Sequence, residues 1–298
     1  MKVKLTWTCD GLYESFNVYR SDSPIDRNNL PFPIAIQIKE KEYTDNSVTN
    51  EISYYAVGNE GHLSDTLRAE KMNYDKYILS LKPVSYWKLD EEAGTSLKDY
   101  SDNSLNANLS NTHNILYQAK VIRKDSKGAM GFAVNSTSIS QCISPADPKL
   151  YNLASGSFTI AYWCYKVADT TFGMTINQCA DPFSGRNTNF RVIAGVELQI
   201  EENSRRLHIG SLPIGSAHFI CYVYDTVNKK YFAYKNDSKI VGTYYEPKAG
   251  NQFAVSTHFP AYYNWDYYGF RGYMSDMSLF NRALTEQEVL ELYEYGKI

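Results

Sequence analysis

The sequence has no CxxC pair and no histidine motif. Its apolar runs fall far short of the ~20 residues a membrane-spanning helix needs. The cysteines (Cys9, Cys142, Cys164, Cys179 and Cys221) are five, an odd count without metal-finger spacing, and a chain of 298 residues needs no disulfide scaffold. No excess of one charge exists either. Thirty basic residues stand against 33 acidic ones, for a net charge of -3, so neither nucleic acid nor an anionic membrane is an expected partner. The basic pairs, Arg205-Arg206 and Lys229-Lys230, are short and scattered. No apolar stretch of the signal-peptide kind accompanies Lys2 and Lys4, so export by the secretory route is not expected. Helix-period patterns are nearly absent.

What is present is alternation. A hydrophobic content of 43% can fill real cores, and 26 tyrosines suit β-surfaces and interfaces alike. Along residues 157–165, Phe158, Ile160, Tyr162 and Cys164 alternate with Thr159, Ala161, Trp163 and Tyr165. In 218–225, Phe219, Cys221 and Val223 share one face and Ile220, Tyr222 and Tyr224 the other. Apolar residues on both faces predict central strands covered on both sides, with Cys164 and Cys221 as buried free thiols. Asn236-Asp237 reads as a hairpin turn between 231–235 and 239–243. One helix closes the chain: Thr285 and Glu288 form a capping box, Leu284 staples to Val289, and Val289, Leu292 and Tyr293 make the buried stripe. Gly296 is expected to end it in a left-handed conformation.

Residues 1–71 carry LTW (5–7), NVYRSDS (17–23), YTDNSV (43–48) and YYAVGNEGHLS (54–64). In combination they resemble the fibronectin type III family as it occurs in bacterial and phage proteins. That resemblance implies a strand before LTW, where only residues 1–4 stand. The first strand is therefore expected to be absent, replaced, or supplied by a neighbour. Residues 72–298 carry YDKYILSLKPVSYWKLDE (74–91), GTSLKDYSDNSLNANLS (94–110), SGSFTIAYWCY (155–165), HFICYVYD (218–225) and RGYMSDMSLFNRALTEQEVLELY (271–293). In this order and spacing they resemble the laminin-G-like, concanavalin-type sandwich family. The expected fold is all-β: an incomplete fibronectin-type-III-like sandwich, a concanavalin-like jelly roll and a short C-terminal helix.

The jelly-roll resemblance raises catalysis and calcium. Hydrolases of that fold carry three acids in the pattern Glu-x-Asp-x-(x)-Glu on one strand. Here Glu197, Gln199 and Glu201 share a strand face, with Gln199 where the tuning Asp belongs, so a glycoside hydrolase using Glu197 and Glu201 is the rival reading rather than the first. Calcium takes six to eight hard oxygen ligands. The family's segments bring Asp99, Asp102, Asn103 and Asp276 forward as candidate Ca2+ ligands, with Ser275 in the place of a family Asp; the plain alternative is an Asx-rich turn.

Binding loops are where function concentrates on a rigid sandwich. Tyr262, Tyr263, Trp265, Tyr267 and Tyr268 crowd one segment, offering rings for sugars or for a protein interface. Phe183, Arg186, Asn187, Asn189 and Arg191 form a second candidate loop with stacking and hydrogen-bonding groups. The sequence reading is thus a non-catalytic recognition or decoration protein on a bacteriophage virion surface (head fibre, decoration or tail adhesin). Host surface glycan is its ligand, and the N-terminal domain attaches to a virion protein or to sister subunits. A bacterial surface adhesin is the other alternative.

Overall fold

A computed structural model describes residues 3–9, 14–59, 62–70, 72–109, 115–132, 142–145, 156–169, 174–179, 188–194, 197–202, 205–242, 252–256 and 270–298. The chain divides into two compact units, Met1–Asn73 and Tyr74–Ile298. Both are β-sandwiches, and no helix among the described residues is long and apolar enough to cross a membrane.

In the first unit, β1 (Val3–Thr6) pairs antiparallel with β4 (Glu42–Asp45). The facing sheet has the order β3 (Pro33–Ile38), β2 (Phe16–Ser21), β5 (Ile52–Asn59), with β6 (His62–Leu63) and β7 (Leu67–Glu70) both pairing β5. Leu5, Val18, Val48 and Tyr55 form its small core. The two sheets are tied by Asp45, which is buried at the end of β4. It accepts hydrogen bonds from Arg20 Nη1 (2.8 Å) and Tyr55 Oη (2.9 Å) on the opposite sheet. Ser47 donates from its backbone N (2.8 Å) and its Oγ (2.7 Å). Burial alone would raise the Asp45 pKa, but the Ser47, Tyr55 and Arg20 donors outweigh it and hold the carboxyl below its ordinary value.

The second unit has two eight-stranded sheets. The front one runs β11 (Ile115–Lys120), β12 (Ala129–Phe132), β23 (Gly272–Phe280), β14 (Phe158–Lys166), β19 (Ala217–Asp225), β20 (Lys230–Lys235), β21 (Ser238–Gly242), with β8 (Ser85–Trp87) also on β23. The back one runs β18 (Arg205–Ser211), β17 (Glu197–Glu202), β16 (Thr188–Ala194), β15 (Met174–Cys179), β22 (Gln252–Ser256), β13 (Cys142–Pro145), β10 (Ala107–Leu109), β9 (Ser96–Leu97). Phe158, Ile160, Tyr162 and Cys164 of β14 and Ile220, Tyr222 and Tyr224 of β19 face the core between the sheets. Ala161, Trp163, Phe219, Cys221 and Val223 face outward, as the alternation predicts. Helices α1 (Tyr74–Ser80) and α2 (Glu286–Gly296) cover that outer face with Tyr74, Ile78, Val289 and Leu292. Cys164 and Cys221 are free and buried, and burial pushes the Cys164 thiol up to about 12.

The capping box at Thr285 and Glu288 is formed, and Leu284 and Val289 are buried together. Gly296 differs from expectation. It is not among the left-handed residues, and the helix is capped instead by Lys297 in extended conformation (φ -64°, ψ 139°). Glycine is needed there for room: a Cβ would lie 2.6 Å from Trp163 Cζ2 and 2.8 Å from Tyr74 Cδ2. Helix α1 has no periodic signature in the sequence, because seven residues with two buried positions carry too little periodicity.

Candidate functional site

The structure places Asp276 in a β-bulge. The β14–β23 register shifts between Ala161/Ser278 and Trp163/Ser275, and Asp276 takes φ 57°, a left-handed conformation that Asp tolerates. The extra residue turns its carboxylate toward the outer face, where Arg123 Nε donates at 2.7 Å and Tyr86 Oη at 2.6 Å. Arg123 Nη2 also donates to Asp75 on α1 (2.8 Å), which takes a further bond from Lys88 Nζ (2.7 Å). Asp99 is buried and accepts from Tyr86 N (2.8 Å), Ser101 N (2.9 Å), Ser101 Oγ (2.7 Å) and Leu105 N (2.7 Å). Asp102 and Asn103 are exposed, and Asn103 Nδ2 donates to Val84 O (2.9 Å). These four candidates do not fit a calcium ion. The Asp99 oxygens face N–H and O–H dipoles, Asp276 faces a guanidinium, and among the described residues no three acidic, His or Cys side chains converge on one point. Their geometry is that of an Asx-rich turn and a buried ion-pair network.

The acidic segment forms β17 as expected. Its register sets Glu201 opposite Arg191 on one side and Arg206 on the other, and Glu197 opposite Ser211. Phe183, Arg186, Asn187, Tyr262, Tyr263, Trp265, Tyr267 and Tyr268 lie outside the described residues. Asn189 and Arg191 belong to β16, described through its backbone.

A cleft of about 440 Å³ opens on the outer face of the front sheet. Trp163 and Tyr165 of β14 and Tyr293 of α2 supply its rings. Trp163 and Tyr293 stack with centroids 6.0 Å apart and an interplanar angle of 21°. Lys120, at the end of β11, holds its ammonium 4.4 Å from the Tyr165 ring centroid, and Lys297 borders the other ring, 5.7 Å from the Tyr293 centroid. Gly215, Ser216 and Asn236 complete the polar side. Gly215 sits at φ 87°, so only glycine adopts this turn freely.

Behind that polar side lies His218. Ser216 Oγ is 2.8 Å from its Nε2, and Asn236 Nδ2 is 3.4 Å from its Nδ1. Asn236 Oδ1 is taken by the Phe219 N–H at 3.0 Å, so its NH2 must face the ring. Nδ1 is therefore the acceptor and Nε2 carries the proton, which it donates to Ser216. Burial, then the Lys235 charge, lowers the His218 pKa and keeps the ring neutral. In this tautomer the imidazole cannot take the Ser216 proton, so Ser, His and Asn stand together without the arrangement of a nucleophile and its base. The Ser216 O–H is left to donate elsewhere. None of Lys120, Tyr165, Ser216 or Tyr293 had a signal in the sequence beyond strand alternation and the C-terminal stripe. Asn236 was legible only as a turn residue.

No family model matches the chain, and no curated protein matches it. Solved structures share its fold. Trypanosoma rangeli sialidase superposes with a TM-score of 0.52 at 10% identity over 81% of this chain, which spans 42% of the sialidase's length. Domain 4 of AbnA, a GH43 extracellular arabinanase from Geobacillus stearothermophilus in complex with arabinotriose, gives 0.50 at 16% identity, covering 71% of this chain and 98% of that domain. The botulinum neurotoxin serotype D binding domain gives 0.51 at 12% identity, covering 73% of this chain and 51% of its own.

Proposed function

We propose that the chain is a non-catalytic carbohydrate-recognition protein displayed on a bacteriophage particle, with the second sandwich carrying the glycan site. The cleft carries this reading. The partly exposed Tyr165 and Tyr293 rings, the ammonium groups and a free hydroxyl proton in one opening match the apolar faces and hydroxyl rims of sugar rings. The AbnA module of like fold is complexed with arabinotriose, which supports a saccharide as the ligand class. The absence of a base for Ser216 among the described residues, and the basic residues in register with Glu201, support recognition without hydrolysis. The fibronectin-type-III-like and laminin-G-like resemblances support the virion setting. There, many copies raise the avidity of a weak single site, and the first unit would be the attachment module.

Electrophoresis of the full chain through gels containing dissolved polysaccharide tests the reading. Retardation by at least one host-surface glycan is expected, abolished in Tyr165→Ala and Tyr293→Ala, with no reducing sugar released. Release of reducing sugar that disappears in Glu197→Gln would make the protein a hydrolase. Mass spectrometry of purified phage particles should find the chain, and its absence there would remove the virion from the proposal.

A further inference from the structure

The charges around the cleft are unequal in a way that selects a ligand. Lys297 has an acidic partner: its ammonium pairs with Glu294 at 2.6 Å. Lys120 has no acidic partner among the described residues, only the Tyr165 ring. A cation–π contact fixes an ammonium without consuming any of its three N–H donors. The backbone that carries Lys120 is held as well. The β11–β12 register shifts between Leu116 and Lys120, Gln118 takes φ 45°, and Gln118 Nε2 donates to Asp90 O at 2.6 Å. Across the cleft, Ser216 accepts from His218 and keeps its own O–H to donate, while the Asn236 amide spends its Oδ1 on the Phe219 N–H and one of its two Nδ2 hydrogens on His218. The cleft thus offers a held positive charge with no acidic partner among the described residues, and hydroxyl and amide N–H donors, beside the partly exposed Tyr165 and Tyr293 rings.

We infer that the cleft recognises an acidic saccharide, with the carboxylate of a uronic-acid-type residue at Lys120 and Ser216. A single ammonium with no acidic partner among the described residues, beside neutral hydroxyl and amide N–H donors, suits a singly charged, two-oxygen acceptor. The inference rests on the cleft being the saccharide site of the proposed function.

Titration calorimetry of the full chain with trigalacturonate and with trimannuronate, each beside its carboxyl-reduced counterpart, tests it. At least one acidic probe should bind about tenfold tighter than its reduced counterpart at low salt, the scale of one charge-assisted contact. High salt should narrow the gap. Lys120→Met should abolish the preference and Lys120→Arg restore it, with thermal midpoints recorded to show that each variant is folded. Lys127→Met, an exposed charge change outside the cleft, should leave the preference intact. Equal affinities within every pair, with Tyr165→Ala still abolishing binding, would overturn the acidic-ligand inference and leave the saccharide site standing. Binding of no probe, acidic or reduced, would overturn both.

Discussion

Replacing Arg123 with methionine isolates the energetics of the buried network beneath the helices. The side chain is 2% exposed and satisfies three acceptors: Asp276 at 2.7 Å, Asp75 at 2.8 Å and the Lys124 carbonyl at 2.7 Å. Its guanidinium also lies 4.5 Å from the Tyr74 ring centroid. Without it, Asp75 keeps Lys88, but Asp276 is left fully buried with, among the described residues, only the Tyr86 hydroxyl, whose single proton is shared with Asp75. An uncompensated buried carboxylate of this kind costs about 3–5 kcal/mol. In a sandwich of this size that lowers the calorimetric midpoint by roughly 6–20 °C. The cost belongs to the stranded charge, so Arg123→Met/Asp276→Asn should recover most of the loss, and Asn tolerates the left-handed conformation. Scanning calorimetry of the wild type, both single variants and the double variant closes the thermodynamic cycle. A single-variant loss under about 1 kcal/mol, or a double variant losing the sum of the singles, would refute the account.

In the first unit, Asp45→Ala should cost about 2–4 kcal/mol by stranding Arg20 and Tyr55, against about 1 kcal/mol for Tyr55→Phe, both read by urea unfolding. The Asp45 pKa is lowered in the fold, so its contribution is complete above the unfolded carboxylate value of about 4 and is lost as pH falls through the folded one. Acid titration of stability should show this limb, and Asp45→Ala should lack it. His218 is likewise lowered, so its neutral form contributes fully above about pH 6.5 and the contribution disappears as pH falls through the folded value. His218→Gln should flatten the midpoint-versus-pH curve below pH ~6.5, and an unchanged slope would show the ring to be accessible to protons. Gly296→Ala should cost about 1–3 kcal/mol and perturb the near-ultraviolet tryptophan signal, because the new methyl meets Trp163.

What the sequence disclosed follows from the range of each signal. Strand alternation is local, so the two faces of β14 and β19 and the two-residue hairpin at Asn236-Asp237, with Asn236 at φ 57°, were legible. The capping box, being local, was legible as well. Asp276 stands among the candidate metal ligands in the sequence because nothing local points to Arg123, 153 positions away, or to the bulge that turns the carboxylate outward. The cleft was invisible for the same reason: its lining comes from β11, β14, β19, the β20–β21 turn and α2. Gly296 shows the converse error. A terminal glycine suggests a left-handed cap, yet close approach to Trp163 explains it better.

Recognition of carbohydrate without turnover at the cleft can be checked on a glycan array probed with the labelled full chain and with Tyr165→Ala. The glycans retained by the wild type are then recovered and analysed for cleavage. The wild type is expected to be retained on a subset of glycans and the variant on none of them, and the recovered glycans are expected to be intact. Retention that Tyr165→Ala leaves unchanged, or glycans recovered as shorter fragments, would contradict it.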